Sequence, residues 1–282
     1  MRSKGDDVAE VLYLLGVKPL WNDTNGNVVG LEIIPLSDLK RPRIDVVPRT
    51  SGFFRDAFPC VMQLMDDAVK MVAALTESHE SNFLRKHVVA DMQFHLDQDT
   101  TEEDAFREAT FRVFSCPPGS YGAGVKELVE TRNWKSRDEL GAAYINYSSH
   151  AYGDDCYGDR KPDTFRKLLS RVDVTFKNED SREKDMLCCT DYYNYYGGLI
   201  SAVGSVKGQL PMAVVGDSSD PMRISTRTTS EEASRIFRAR LLNPKWIDGM
   251  KRHGYKGAGE ISKAMDIRSE ERRVGKECRS RW

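Results

Sequence analysis

Four short β-branched or aromatic runs punctuate this chain, and longer helical periods separate them. RIDVVP (43–48), FRVFS (111–115), VDVTFKN (172–178) and MAVVGD (212–217) are too short for stable helices and rich in residues that favour strands. Between them, residues 55–75 place Phe58, Val61, Met62, Met65, Val69, Val72 and Ala73 on one helical stripe. Residues 7–16 predict a short helix, WNDTNGN a turn, and VVGLEIIPL a further strand. Thr229 with Glu232 reads as a capping box ahead of a helix over SEEASRIFRARLL. Strands alternating with helices predict an α/β fold, a mainly parallel sheet flanked by helices. Ligands of such sheets bind beyond the carboxyl ends of the strands. The loops to inspect are therefore 49–56, 117–124, 178–185 and 217–223.

Composition narrows the class. The 282 residues are 40% hydrophobic and 30% charged, with a formal net charge of −1, so there is no global basic footprint for nucleic acid. Asp6, Asp7 and Glu10 interrupt any apolar core of a signal peptide, and no apolar run approaches the ~18 residues of a membrane helix. The expectation is a cytoplasmic protein without membrane insertion. Six cysteines with no C-x-x-C pair, and with Cys188 and Cys189 adjacent, fit reduced thiols better than a disulfide framework or a zinc ribbon.

Residues 268–282, RSEERRVGKECRSRW, change character abruptly, with six basic and three acidic residues and almost nothing to bury. The string looks like a sequencing-library adapter translated in frame. It is expected to be non-native, leaving residues 1–267 as the segment to interpret.

The stretch FRVFSCPPGSYGAGVKELVE (111–130) has the outline of a phosphate loop: a strand, glycines, then a helix. Gly119 and Gly124 have the Walker separation, but Val125 holds the lysine position, Lys126 comes one residue late, and Glu127 replaces the hydroxyl. A one-residue offset turns a helical side chain by roughly 100°. The G-x-G-x-x-G spacing fails as well. A turn whose amides hold some other anion stays open.

RPRIDVVPRTSGFFRDAFP (41–59) strongly resembles a motif of the large subunits of cobaltochelatase and magnesium chelatase. The likeness continues in order through NFLRKH (82–87), FRVFS with GSYGAG, and NPKWIDGMKRHGYKG (243–257), and spans essentially all of residues 1–267. SGFFRDAFP, GSYGAG and NEDSREKDMLCCTDYYNYYGGL (178–199) look like the cobalt branch. The resemblance implies a piece of a larger multidomain subunit with both ends internal. That subunit would bind a tetrapyrrole and help insert Co2+ into a corrin precursor, hydrogenobyrinic acid a,c-diamide. ATP and Mg2+ would be bound by separate AAA+ ATPase subunits, which accounts for a glycine loop that fails as a Walker motif. The alternatives are a magnesium chelatase subunit acting on protoporphyrin, or a non-catalytic tetrapyrrole-binding paralogue.

Metal insertion needs a grip on the macrocycle's acidic side chains, a base for the ring N–H protons, and a transient metal ligand. Arginine forks suit the grip. Arg43, Arg49 and Arg55 cluster near the first run and Arg182 follows the third, each with an internal ion pair as its alternative use. Tyr121, Gly122 and Gly124 of the glycine loop, and Tyr192 as a stacking ring, join the substrate-binding candidates. Glu179, Asp180, Glu183 and Asp185 form the densest acidic cluster, and Glu179, Asp180 and Asp185 are the candidate bases. For the metal, His87 and His253 are the candidates. His87, Asp91 and His95 share one helix face at i, i+4 and i+8.

Overall fold

A computed structural model of the chain describes residues 5–96, 100–182, 185–186 and 191–274, with the backbone alone at 263 and 266–274. The chain divides within the glycine loop. Ser3–Tyr121 with Ser148–Thr164 make a first unit, and Gly122–Tyr147 with Phe165 onward make a second.

In the first unit α1 (Asp6–Leu15) ends on Gly16 at φ +78, a left-handed conformation that glycine adopts without strain. A hairpin of β1 (Val17–Trp21) and β2 (Val28–Ile33) follows, antiparallel, across the turn at WNDTNGN. Then come α2 (Leu36–Leu39), α3 (Gly52–Ala57), α4 (Pro59–Ala73), α5 (Phe83–Leu96) and α6 (Glu102–Thr110). The helical stripe expected over 55–75 is split in two. Phe58 closes α3, and Pro59, which has no N–H to offer, starts α4. Below the split the stripe holds, with Met62, Met65, Val69, Val72 and Ala73 all buried. Leu12, Leu15, Val69, Val72, Leu84 and Val88 make one core, each contributing about 1.5–3 kcal/mol by leaving water. Met62, Met65, Val113 and Tyr152 make a second.

The RIDVVP run does not form a strand. It makes single parallel bridges, Arg43 with Asn82 and Arg49 with Phe114. Pro42 and Pro48 flank it and can donate nothing to a ladder, so only Thr50 N–H and the Pro48 carbonyl bond to Phe114. FRVFS supplies the two-residue β3 (Phe114–Ser115), antiparallel to β4 (His150–Tyr152), which pairs antiparallel with β5 (Tyr157–Arg160).

The second unit holds α7 (Lys126–Glu130), α8 (Arg137–Ser148), α9 (Pro162–Leu169, whose first turn belongs to the first unit) and β6 (Val174–Glu179). A π-helix (Tyr192–Gly197) runs directly into α10 (Gly198–Lys207), and then come β7 (Met212–Asp217), β8 (Ser225–Thr228), α11 (Thr229–Ala239), α12 (Pro244–Arg252) and α13 (Gly254–Val274). β6 and β7 pair in parallel, joined by a helical crossover, and β8 adds antiparallel to β7. Tyr192, Tyr196, Ile200, Val215 and Ile236 fill the core beneath them.

The α/β class stands. Its strands, however, are shared among three small sheets, and β6–β7 is the one parallel strand pair among the described residues. The capping box also sits one residue earlier than expected. Thr228 is the N-cap and Glu231 its reciprocal partner, which frees Glu232 to turn inward.

Candidate functional site

The strand-end loops converge in two places, one in each unit. In the first unit, residues 49–56 meet 117–121 around Arg55. Its guanidinium clasps Asp56 bidentately, Nε–Oδ1 2.7 Å and Nη2–Oδ2 2.9 Å. Nη1 donates to the carbonyls of Cys116 (3.0 Å) and Pro117 (2.7 Å). A single side chain thus holds the CPPGSY turn in shape. The Tyr121 hydroxyl donates to Asp56 Oδ2 at 2.9 Å, while the ring remains 62% exposed. The bond from Arg55 holds the Asp56 carboxyl below the usual carboxylate range, and the bond to Asp56 in turn pushes Tyr121 up.

Beside this hub lies a cleft of about 280 Å³ lined by Arg55, Pro59, Met62, Tyr152, Cys156 and Tyr157, together with Cys60, Gln63 and Gly153. Burial pushes the Tyr152 hydroxyl up to about 12 and the Cys156 thiol up to about 11, so both stay protonated near neutrality.

Arg43 is no substrate grip. It is 0% exposed, and its five N–H groups go to Glu77, at Nε (2.8 Å) and Nη2 (2.9 Å), and to the carbonyls of Leu15, Gly16 and Ile34. A Cβ at Gly16 would lie 2.3 Å from Arg43 Nη1, so the glycine is also required by packing. Arg55 likewise spends its donors on Asp56 and the turn, which leaves it a positioning residue. Arg49 bonds Ser148 Oγ at 3.1 Å through Nη2.

The second unit opens with the remainder of the glycine loop. Gly122 (φ +100) and Gly124 (φ +77) are both left-handed, and a Cβ at Gly124 would lie 2.8 Å from Tyr147 Cβ on α8. The N–H of Lys126, first in α7, is taken by Asn194 Oδ1 at 3.1 Å. A phosphate loop would keep that amide for its ligand; here a side chain from the π-helix occupies it.

The second convergence lies at the carboxyl ends of β6 and β7, where Glu179 and Asp217 are register partners. A water-sized pocket of about 10 Å³ there is lined by Glu179, Arg182, Asp185, Tyr192, Asp217 and Glu232, among others. Four of the sequence-predicted residues are thus brought together: Glu179, Asp185, Arg182 and Tyr192. Asp180 does not line the pocket, and Glu183 lies outside the described residues. Arg182 Nη2 reaches Asp217 Oδ2 at 3.2 Å and is 57% exposed, Asp185 pairs with Arg240 at 3.2 Å, and Glu179 pairs with Lys177. Burial works against the Asp217 charge, but bonds from Ser219 and Arg227 and the nearby Arg182 more than offset it and hold the carboxyl below its ordinary range. Tyr192 is buried, edge-on to Tyr196 at 5.5 Å and with Lys177 Nζ over its ring at 5.0 Å. It serves as core and pocket wall and offers no open stacking face. Asp217 opens the strand-end stretch 217–223 to which the sequence pointed, whereas Glu232, expected as a capping residue, and Arg235 carried no sequence signal of a site.

The metal candidates separate. In the first unit, His87 Nδ1 lies 2.7 Å from Asp45 Oδ2, and Asp45 is clamped by Arg112 (Nε–Oδ1 2.7 Å), itself anchored on the Ala109 and Phe111 carbonyls. Asp45 and Arg112 were legible only as charges within apolar runs. His253, in the second unit, caps the end of α12 with its side chain exposed. His87, Asp91 and His95 do share α5. Among the described residues, though, no three His, Cys, Asp or Glu side chains converge on a metal-sized site. No helix among them is long and apolar enough to cross a membrane.

Comparison with known proteins follows the same outline. A family model described as CobN/Magnesium Chelatase matches residues 1–269. An uncharacterized protein of Methanocaldococcus jannaschii is 48% identical over 266 residues, 94% of this chain and 22% of its own length. An aerobic cobaltochelatase subunit of Pseudomonas aeruginosa is 44% identical over 266 residues, 94% of this chain and 21% of its own. A chloroplastic magnesium-chelatase subunit of Oryza sativa subsp. indica is 37% identical over 276 residues, covering 94% and 19%. Among solved structures, the catalytic subunit of cobaltochelatase from Mycobacterium tuberculosis matches with a TM-score of 0.90 and 44% identity, over 96% of this chain and 22% of that one. The chain spans about a fifth of the length of the relatives it matches.

Proposed function

The chain belongs to the CobN/magnesium chelatase family, and we propose that it is a segment of the tetrapyrrole-binding large subunit of a cytoplasmic, ATP-dependent cobaltochelatase. The observation that carries the cobalt branch is the 44% identity and 0.90 TM-score to a cobaltochelatase catalytic subunit, against 37% identity to a magnesium-chelatase subunit. The substrates are Co2+ and a corrin precursor, hydrogenobyrinic acid a,c-diamide. ATP and Mg2+ belong to AAA+ partner subunits, a division supported by a glycine loop whose helix amide is taken by Asn194.

The reaction exchanges two ring N–H protons for one divalent cation, so the protein must accept protons and hold the ring still while the metal enters. Arg182, exposed and held by one bond to Asp217, can exchange that partner for a carboxylate or carboxamide oxygen on the macrocycle rim. Glu179 and Asp185 stand beside it as proton acceptors, each already charged against a cation. His87, its Nδ1 turned to Asp45, is one candidate for a transient metal ligand, and the exposed His253 is a separate, alternative one. Arg55, Asp56 and Tyr121 hold the glycine-loop turn. Residues 268–282 stand outside this reading.

Absorbance titration of the full-length subunit with each macrocycle tests the reading. Tighter binding of the corrin precursor is expected. Preference for protoporphyrin would move the protein to the magnesium branch, and binding with no chelation in the presence of AAA+ partners would make it a binding paralogue.

A further inference from the structure

We infer that the cleft beside Arg55 receives an apolar stretch of the macrocycle's edge, between its polar side chains, with the Tyr157 ring as its platform; this rests on the chelatase reading above. The ring of Tyr157 is 62% exposed, yet its surroundings are fixed. It stands edge-on to Tyr152 with centroids 5.3 Å apart and planes at 87°. Tyr152 is buried and donates its hydroxyl to the Cys116 carbonyl at 2.7 Å. The next residue, Gly158 (φ +86), lies so close to Pro118 that a Cβ would sit 2.5 Å from its ring. The Tyr157 backbone is therefore pinned to the turn that Arg55 organises. An aromatic face held rigid and left open to water gains nothing for folding, and it is preorganised for a planar ligand.

The cleft's chemistry selects which part of the ligand enters. Its other walls are Pro59, Met62 and the Cys60 and Cys156 thiols, and at about 280 Å³ it has room for part of a macrocycle only. The one charged lining group, Arg55, is neutralised by Asp56 through two bonds and occupied by the turn carbonyls. The Gln63 side-chain amide donates to Asp154 at 2.6 Å. No unneutralised cation is left there to reward an ionised carboxylate for losing its water. A pyrrole edge meets the opposite condition, because it exchanges apolar surface for aromatic and thioether contacts. The metal is not held here, since the Cys156 thiol, pushed up to about 11 by burial, is a poor ligand and, among the described residues, no three metal-ligating side chains converge at the cleft. On this geometry the ring docks in the first unit by its edge.

Cys60, exposed at the cleft, provides the readout. In the full-length subunit, the rate of Cys60 alkylation by N-ethylmaleimide is followed by peptide mass spectrometry with protoporphyrin and with the corrin precursor. At a macrocycle concentration roughly ten times Kd, the rate is expected to fall about tenfold. Tyr157→Ala is expected to weaken macrocycle binding about two- to tenfold, while Tyr157→Phe, which keeps the ring, binds as wild type. An unchanged Cys60 rate when the macrocycle's absorbance band shows that it is bound would overturn the cleft and leave the chelatase reading standing. So would wild-type affinity in Tyr157→Ala, or a Cys60 already inert before any macrocycle is added, which would mean that protein covers the site. No binding of either macrocycle would overturn the chelatase reading and the cleft with it.

Discussion

Asn194 Oδ1 accepts the backbone N–H of Lys126 at 3.1 Å, so a buried carboxamide from the π-helix occupies the helix-end donor that a nucleotide phosphate would need. Removing it leaves that donor unsatisfied. Asn194→Ala is expected to destabilise the protein by about 1–2 kcal/mol in urea unfolding without creating nucleotide affinity in a fluorescent-ATP titration. Micromolar ATP binding by the variant would show that the loop is a nucleotide site blocked by its own side chain.

Arg43 predicts a different kind of loss. Its donors tie the ends of α1 and β2 and the Glu77 carboxylate to one guanidinium, and lysine carries too few donors for those partners. Arg43→Lys is expected to cost about 1–3 kcal/mol in chemical unfolding, the cost of buried carbonyls left without a donor. A variant that folds normally but binds macrocycle weakly would return Arg43 to the substrate site.

How much of this the sequence disclosed follows from range. MAVVGD and the Met62–Ala73 stripe were legible because their signals are local: β-branching over six residues, and a period of 3.6. RIDVVP carried the same strand signal and failed, because a ladder needs one continuous partner: Arg43 and Ile44 donate to the Ser81 and Leu14 carbonyls instead, and Pro48 has no N–H to offer. The site was half legible for a related reason. Strand-end logic led to Glu179, Arg182 and Asp185, whose loop is continuous in sequence. Glu232 and Arg235 reach the same pocket from a helix about fifty residues on, and a single sequence contains no such pairing. For Arg43 and Arg55 both uses stayed open in the sequence, because an arginine in a loop reads alike whether its partners are a ligand's carboxylates or the protein's own groups.

The Asp45 clamp gives a pH signature. Burial opposes the Asp45 charge, but Arg112 and the bond to His87 overcome it, so the folded-state pKa lies below the ordinary carboxylate value. A depressed carboxylate pKa contributes stability that is complete above the unfolded value of about 3.9 and is lost as pH falls through the folded value. Unfolding free energy is thus expected to drop below about pH 4. Asp45→Asn should lower stability at neutral pH and flatten that acid limb, as measured by denaturant unfolding at several pH values. An acid limb of unchanged slope in the variant would show that Asp45 does not carry it.

Glu179 and Asp217 end the parallel strand pair side by side, yet their surroundings give them different work. Asp217 receives Ser219, Arg182 and Arg227 together, a saturated carboxylate suited to holding Arg182 in place. Glu179 pairs with Lys177 on the wall of the same pocket, beside the Arg182 side chain's anchor rather than serving as that anchor. In the full-length subunit with its ATPase partners, Glu179→Gln is expected to lower kcat for cobalt insertion about 10²- to 10⁴-fold, the range for loss of a general base, with macrocycle Kd little changed. Arg182→Ala should instead raise KM, because it removes a contact made equally in the bound and reacting states. Loss of binding without loss of kcat in Glu179→Gln would move this carboxylate from proton transfer to substrate positioning.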